Sequence, residues 1–289
     1  MSLRYTFGGD EFIFVEISEA MSLQSFFTSM AITKRLQEEA VAGVIEICPA
    51  NASYQIRFNP DVIHPDAMLA KLQQLEQELS SDNMVLETRL IEIPVLYNDP
   101  WTNETGAKFR ERHQDPSSTD LEYAARINGY PSIDDFITAH SASPWFVSMV
   151  GFVAGLPFMF QMVEQAKQLQ VPKYLRPRTD TPKLTLGHGG CFSCIYSVRG
   201  AGGYQMFGVT PAPIYDPEQT LPYLKEMMVF FRPGDVVKFK PINRQEYDIA
   251  MEQVAAGTFD LTVKNIVFNL HEFLANPHQY NQQLIGAQA

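Results

Sequence analysis

The sequence is poor in cysteine, in basic residues and in long apolar segments. Its three cysteines cannot form a paired disulfide framework, which favours a reducing cytoplasmic location. Basic side chains number 22 against 33 acidic ones, and the net charge of −11 argues against nucleic acid or an anionic membrane surface as a partner. No apolar run reaches the roughly 20 residues of a membrane span, and the N-terminus lacks the apolar core of a signal peptide. We therefore expect a soluble cytoplasmic protein.

The chain is long enough for two domains, and its first part alternates strand and helix patterns. In order, the predicted elements are a strand at 12–17, a helix at 22–40, two strands within 44–58, a helix from 65 to about 80–82, and a strand at 86–97. The order β-α-β-β-α-β is typical of a ferredoxin-like α/β domain, which we assign to residues 1–97. The predicted fold class is α+β.

The remaining residues, 98–289, have a different pattern. Helical patterns at 107–113, 121–128 and 133–140 are followed by short β runs separated by glycine and proline. Many short strands with this punctuation predict a closed or nearly closed β-barrel, here with a helical insertion. From about residue 245 the pattern is helical again, and we expect the polar end of this tail to be frayed.

The segment GFVAGLPFMFQM (151–162) combines aromatic side chains with two glycines and a proline. Gly151, Gly155 and Pro157 predict a loop in which missing Cβ atoms allow a close backbone approach. Phe152, Phe158 and Phe160 would then form the wall of a substrate pocket. The alternative is a tightly turned core segment between two strands.

The segment HGGCFSC (188–194) has an H-x2-C-x2-C spacing that could bind zinc, and its C-x-x-C could form a redox pair. In a strand, however, neighbouring side chains alternate between faces, and the sequence offers no second cluster with a fourth ligand. We therefore predict no metal and favour a glycine-rich turn that enters a strand. Cys191 as a nucleophile beside His188 or His140 stays open.

Two further segments contain polar groups that could bind an anion. Arg178 lies between prolines in RPRTDTP and could direct its guanidinium at a carboxylate or phosphate; the alternative is a salt bridge to Asp180 or Asp120. Gly203 and Gln205 follow in a turn whose N–H groups could bind an oxyanion, although a plain hairpin would look the same. The sequence has no GxxxxGK[ST] phosphate loop and no biotin-attachment signature.

Ordered signatures give the chain a family resemblance. They are TDLEYAARINGY (119–130) with His140 further on, MVGFVAGLPFMFQM (149–162), PRTDTP (177–182), GAGGYQMFGVTP (200–211) and RPGDVVKF (232–239). With them the chain resembles the allophanate hydrolase subunit 1 family, also known as carboxyltransferase domain, subdomains C and D. That family includes the B subunit of 5-oxoprolinase, a bacterial sporulation-kinase inhibitor and part of urea carboxylase. The resemblance runs from Gly9 to about Tyr247.

The resemblance implies a cyclophilin-like β-barrel after the N-terminal domain, and a heteromeric partner, subunit 2, with a related barrel. It implies ATP-dependent hydrolysis of a small lactam, amide or urea-like substrate at a site shared with subunit 2. His140 matches a family position and becomes a candidate acid or base, so that His140 and Arg178 are the predicted catalytic residues.

Two other functions fit the resemblance. The first is carboxyl transfer from carboxybiotin, carried on another chain, to a urea-like nitrogen. The second is a regulatory module that binds a kinase. Where relatives read GIAGxQTGIYP this chain has GHGGCFSCIYS (187–197), and where they read GRTP it has Val209 in place of the arginine. These departures leave the substrate open.

Overall fold

The computed structural model describes residues 3–79 and 84–286. The chain divides into two compact units, one formed by residues 1–86 with 267–274 and the other by residues 87–266 with 275–289. No helix in the described ranges is both long and apolar enough to cross a bilayer.

The first unit contains a small antiparallel sheet and two helices. Its elements are β1 (Arg4–Gly8), β2 (Phe12–Glu16), α1 (Leu23–Glu38), β3 (Val44–Pro49), β4 (Ser53–Phe58) and α2 (Pro65–Gln77). The sheet order is β1-β2-β4-β3. Ser22 caps α1 by accepting a hydrogen bond from the Ser25 amide, and α2 begins at a proline, which lacks the amide that a first turn leaves unpaired. The end predicted for α2 at 80–82 lies outside the described residues.

The six predicted elements occur in the predicted β-α-β-β-α-β order, but two features depart from a ferredoxin-like domain. A strand that was not predicted, β1, precedes β2, and the strand at 86–97 pairs in the sheet of the second unit. That strand, β5 (Val85–Tyr97), buries Leu90 and Ile91 completely although their side chains point to opposite faces. A strand buried on both faces belongs in the middle of a large sheet rather than at the edge of a small one.

The second unit is built on a large mixed sheet. Its further strands are β6 (Trp145–Val150), β7 (Pro157–Gln161), β9 (Thr185–Gly189), β10 (Phe192–Ile195), β12 (Gln205–Val209), β13 (Val236–Pro241) and β14 (Val263–Asn269). The order is β12-β9-β10-β7-β6-β13-β5-β14, with an additional pairing between β12 and β5. This pairing nearly closes the sheet into a ring, which confirms the prediction of a closed or nearly closed sheet after the N-terminal part. A side chain at Gly208 would lie 2.5 Å from the Leu96 carbonyl oxygen, so glycine permits the closing contact.

Three helices lie between β5 and β6 in the chain: α3 (Pro100–Lys108), α4 (Asp120–Ile127) and α5 (Ile133–Ala142). The chain ends in α6 (Arg244–Ala255), α7 (Leu270–Ala275) and α8 (Pro277–Gly286), while β8 (Arg178–Thr181) and β11 (Gly200–Gly202) form a separate two-stranded sheet. The expected fraying of the C-terminal tail is wrong for residues 277–286. There α8 is helical, and its buried Asn281 donates a hydrogen bond from Nδ2 to the Met162 carbonyl.

Candidate functional site

A tight hairpin connects β6 to β7 at residues 151–156. The Gly151 amide donates to the Leu156 carbonyl at 3.0 Å, and Gly155 adopts a φ of +76°. Phe152 also has a positive φ, +68°, although its side chain is 72% exposed. A left-handed conformation is unfavourable for a bulky residue and is often found at functional sites. The hairpin thus presents Phe152 to the outside and turns the following residues inward.

Beside this hairpin lies a cavity of about 310 Å³ with largely aromatic walls. Phe152, Phe158, Tyr196 and Tyr204 line it, and Lys173 is the charged residue among its lining residues. The rings of Phe158 and Tyr204 meet edge to face with their centroids 6.3 Å apart. Such an enclosure binds apolar surface and repels water, which is the usual character of a small-molecule site.

Glycine at position 202 gives the cavity its shape. A Cβ atom there would lie 2.5 Å from the Tyr196 hydroxyl and 2.7 Å from Thr181 Oγ1. Only a residue without a side chain therefore lets β11 approach β8 and Tyr196 this closely. Gly203, one of the predicted substrate-binding residues, follows it and also lines the cavity.

Arg178 lies in β8 directly opposite Gly202 and is completely buried. Its Nε donates to Thr181 Oγ1 at 3.2 Å, and its guanidinium carbon lies 4.5 Å from the centre of the Tyr174 ring. The terminal nitrogens Nη1 and Nη2 have no hydrogen-bond partner of good geometry among the described residues, and a hydroxyl that senses the guanidinium is that of Tyr196, whose pKa is raised by burial and lowered by Arg178. A buried cation is normally paired, so this guanidinium is available for an anion.

The alternative interpretation of Arg178, a salt bridge to Asp180 or Asp120, is wrong. Asp180 pairs with Arg199, with Nη2 and Oδ2 2.6 Å apart. Asp120 is held by Arg110 at 2.9 Å and also accepts a hydrogen bond from the Tyr174 hydroxyl. Both carboxylates therefore have other cationic partners.

Two cations act on the same wall of the cavity. Burial raises the pKa of the Cys194 thiol, and the positive charges of Arg178 and Lys173 oppose that effect. Burial likewise raises the pKa of Tyr196, and Arg178 again opposes it. Cys194 and Tyr196 are thus protonated near neutral pH, and both are close enough to Arg178 to feel its charge.

The predicted acid or base, His140, is placed elsewhere. It is completely buried among aromatic rings, where it stacks on Phe239 with the ring centroids 5.3 Å apart. Its Nδ1 lies 2.9 Å from the Tyr97 hydroxyl, and burial lowers its pKa well below the ordinary value. The described residues that line the aromatic cavity do not include His140. The structure therefore does not bring His140 to Phe158, and its catalytic role stays a prediction.

Most of the chain, including the cavity, matches a known protein family. Residues 3–225 match the family model described as carboxyltransferase domain, subdomain C and D. The chain belongs to this family. All residues of the cavity named above lie inside the matched range, and the predicted family resemblance is confirmed.

Relatives in the family include both separate subunits and parts of larger enzymes. The chain is 25% identical over 264 residues to the B subunit of 5-oxoprolinase from Bacillus subtilis, covering 88% of this chain and 99% of the relative. It is 25% identical over 275 residues to urea amidolyase of Lachancea kluyveri, covering 93% of this chain but 15% of that protein. The structure of K. lactis urea amidolyase has the same fold, with a TM-score of 0.83 and 23% sequence identity. The match covers 99% of this chain and 18% of the K. lactis chain.

Three other predicted substrate-binding residues, Gln205, Gly155 and Pro157, are held by contacts within the protein. Gln205 is buried, and its amide is hydrogen-bonded to His113 Nε2 and to the Pro172 carbonyl, both at 2.8 Å. Gly155 packs against Tyr215, whose Cβ would lie 3.2 Å from an added side chain. Pro157 begins β7 and is buried. Phe152, Phe158 and Gly203 lie at the cavity, and a role of Gln205, Gly155 and Pro157 in substrate binding stays a prediction.

The HGGCFSC segment contains the end of β9, a two-residue turn at Gly190 and Cys191, and the start of β10, which agrees with the prediction of a glycine-rich turn that enters a strand. His188 Nε2 lies 3.3 Å from the Leu169 carbonyl oxygen, and burial lowers its pKa to about 4. Cys191 and Cys194 are not joined by a disulfide bond. In the part of the chain that the structure describes, no group of three or more potential ligands could hold a metal ion.

Sequence reasoning missed the residues that complete the cavity. Lys173, Tyr196 and Tyr204 line it, yet they lie in three separate segments of the chain. Tyr204 stands inside the signature at 200–211, and Lys173 precedes the prolines around Arg178. A signal was thus present for Tyr204, but the signature alone gave no reason to choose it over its neighbours.

Proposed function

We propose that the chain is subunit 1 of a heteromeric, ATP-dependent amidohydrolase of the allophanate hydrolase and 5-oxoprolinase type. It acts on a small lactam, amide or urea-like substrate at a site that it shares with subunit 2. The observation that carries the proposal is the buried Arg178 guanidinium, whose terminal nitrogens lack partners in the described structure, behind the wall of an aromatic cavity. The near end-to-end match with a relative named as the B subunit of 5-oxoprolinase supports the reaction type.

The residues at the cavity suit anion binding better than bond cleavage. Attack on an amide carbonyl generates an oxyanion, which the fixed positive charges of Arg178 and Lys173 stabilise. The Cys194 thiol has a raised pKa and is a poor nucleophile, because the thiolate is the reactive form. The base that activates the attacking group therefore comes from outside the cavity, from His140 or from subunit 2, and the names of the relatives mark them as parts of a larger enzyme.

The cavity itself does not fit a nucleoside triphosphate. One lining ammonium and one fully buried guanidinium cannot neutralise three phosphates, and the sequence has no phosphate loop. We therefore assign ATP to the complex rather than to this cavity and derive no step through it.

Carboxyl transfer is the second candidate. It is favoured by the family description and by the relative named urea amidolyase, in which a segment like this chain is 15% of the whole. In that case carboxybiotin arrives on another chain, and the Arg178 charge holds the carboxylate that is transferred.

Reconstitution tests the proposal. We expect the chain and a subunit 2 relative from the same source to co-purify, and the complex to hydrolyse a lactam or urea-like substrate only with ATP. Arg178→Lys should lower kcat/KM of the complex by about tenfold or more, because lysine keeps the charge but loses the hydrogen bond to Thr181 and the planar contact with Tyr174 that fix the position of that charge. Full turnover by the single chain, or turnover blocked by avidin, would contradict the hydrolase proposal; the second result would favour carboxyl transfer.

A further inference from the structure

We propose that a cleft between α5, the end of β7 and α8 binds a small neutral molecule with a carboxamide group on an apolar body. This α8 cleft lies within the second unit, and its lining residues include Tyr130, Ser143, Gln161, Asn281 and Ile285. Helix α8 stands beyond residues 3–225, which match the family model. Among the described residues, none that lines the α8 cleft also lines the aromatic cavity. The inference therefore concerns a second site and is independent of the proposed reaction.

One side of the α8 cleft is apolar. Its apolar lining residues include Ala139 and Ala142 on α5, the buried Met162 after β7, and Ile285 on α8. Asn281 precedes Ile285 by one helical turn, so both side chains lie on the same face of α8. The volume of about 400 Å³ falls within the range of small-molecule pockets, roughly 300–1,000 Å³. The α8 cleft can thus enclose an apolar group of the size of a saturated ring.

Asn281 contributes a hydrogen-bond acceptor that is not used within the protein. Its side chain is buried, and its Nδ2 donates to the Met162 carbonyl oxygen at 2.5 Å. This contact fixes the orientation of the amide, because a carbonyl can only accept. The other amide atom, Oδ1, has no hydrogen-bond partner among the described residues. A buried acceptor without a donor is unfavourable, so an N–H group of a ligand in the α8 cleft would stabilise Asn281.

Ser143 contributes a donor. Its Oγ accepts a hydrogen bond from Gln161 Nε2 at 2.8 Å, which leaves the hydroxyl hydrogen of Ser143 for another acceptor. Gln161 itself is fully used, since Nε2 also donates to the Ala139 carbonyl and Oε1 accepts from the Leu169 amide. Ser143 and Asn281 therefore offer one donor and one acceptor to the same space. A carboxamide, with its C=O and N–H on one carbon, is the complementary group.

The charges at the α8 cleft favour a neutral ligand. Lys167 lines it, but the Lys167 ammonium pairs with Glu164 at 2.7 Å, and both side chains are more than half exposed. His278 also lines it and is exposed. Among the described lining residues there is no arginine and no second lysine. A carboxylate would place its charge near the Asn281 amide oxygen without an unpaired lysine or arginine to offset it.

Methyl NMR of the full chain, labelled with ¹³C at the methionine methyl groups, tests the inference at pH 8. The Met162 methyl reports on the α8 cleft, and Met162→Leu assigns its signal. The probes share one ring: cyclohexanecarboxamide, its methyl ester analogue without the N–H, and cyclohexanecarboxylate with the charge. We expect the carboxamide to shift the Met162 signal with at least tenfold higher affinity than either of the other two probes.

Two variants locate the polar contacts. Asn281→Leu should remove the tenfold preference for the carboxamide over the ester, because neither probe then has an acceptor to bind. Ser143→Ala should weaken both probes by about the same factor, because both carry the carbonyl that the hydroxyl contacts. A variant that only deforms the α8 cleft would weaken the ester as much as the carboxamide. If Asn281→Leu does not fold, Ser143→Ala and the three probes decide. Phe158→Leu, in the aromatic cavity, is the control and should leave the Met162 titration unchanged.

Each outcome supports or overturns the inference. An unmoved Met162 signal with all three probes would mean that water alone occupies the α8 cleft, and would overturn it. Equal affinity for carboxamide and ester, tighter binding of the carboxylate, an unchanged preference in a folded Asn281→Leu protein, or unchanged affinities in Ser143→Ala would do the same. A Met162 titration lost in Phe158→Leu would overturn it as well, because the probe would then occupy the aromatic cavity. None of these measurements requires a partner chain or turnover.

Discussion

Replacing Arg178 by methionine should abolish anion binding while leaving the fold almost as stable as before. Methionine keeps much of the length and flexibility of the side chain. The change removes a cation–π contact with Tyr174, about 2 kcal/mol when desolvated. It also removes one hydrogen bond to Thr181, about 1 kcal/mol. Against these losses it eliminates two buried, unpaired donors, each of which costs about 1–3 kcal/mol. We expect the free energy of unfolding to fall by no more than about 1 kcal/mol or to rise by up to about 3 kcal/mol.

The matched control is Arg110→Met. Arg110 is also largely buried, but it is paired with Asp120, and its loss leaves a buried carboxylate without its cation. Breaking such a pair costs about 3–5 kcal/mol. Urea unfolding at pH 7.5, followed by circular dichroism, measures both variants, and kcat/KM of the reconstituted complex gives the functional effect. If Arg178→Met is as destabilising as Arg110→Met, then Arg178 is part of the structural framework, and the reasoning that leaves it free for a ligand is refuted.

Two further predictions follow from glycine geometry and from a buried histidine. Gly202→Ala should cost about 1–3 kcal/mol of unfolding free energy and lower kcat/KM of the reconstituted complex, since its Cβ would overlap the Tyr196 hydroxyl. Gly200→Ala, where an added Cβ meets nothing within 4 Å, should leave both stability and kcat/KM intact; equal effects in both variants would contradict the steric argument. Burial lowers the pKa of His188 from 6.5 to about 4, so the unfolded chain binds the additional proton between these values. Stability should therefore be complete above pH 6.5 and fall by about 3 kcal/mol as the pH drops to 4. Urea midpoints at pH 7 and 4.5 should differ less in His188→Asn than in the exposed control His271→Asn, and an identical pH dependence in the two would count against this assignment.

Local features of the fold could be predicted from the sequence because local chemistry determines them. Ser132 begins α5 as expected, since its hydroxyl accepts a hydrogen bond from the Asp135 amide. Short strands separated by glycine and proline predicted the nearly closed sheet. The sheet that β5 joins could not be predicted in this way. Its apolar pattern suits any sheet, and its partners Val236 to Pro241 lie far away in the sequence.

The candidate site was predictable only in part for the same reason. Phe152 and Phe158 belong to one hairpin, so their common location follows from the local pattern. Whether Arg178 is free for a ligand depends on the ion pairs of Asp120 and Asp180. Asp120 pairs with Arg110 and Asp180 pairs with Arg199, so neither carboxylate pairs with Arg178. His140 ends a helix, where exposure is the ordinary expectation, but aromatic residues distant in sequence bury it. Such competition between distant side chains has no signal in a single segment.

The pairing of β5 with β13 has a consequence for synthesis of the chain. Arg89 on β5 forms its ion pair with Asp235, 146 residues later. At translation rates of about 5–20 residues per second, the ribosome needs roughly 7–30 s to make that interval. During this time one of the most apolar strands of the protein has emerged while its parallel neighbour does not yet exist. A nascent chain interrupted before residue 236 therefore exposes an unpaired strand edge, which makes stalled or truncated products of this protein substrates for chaperones and prone to aggregation.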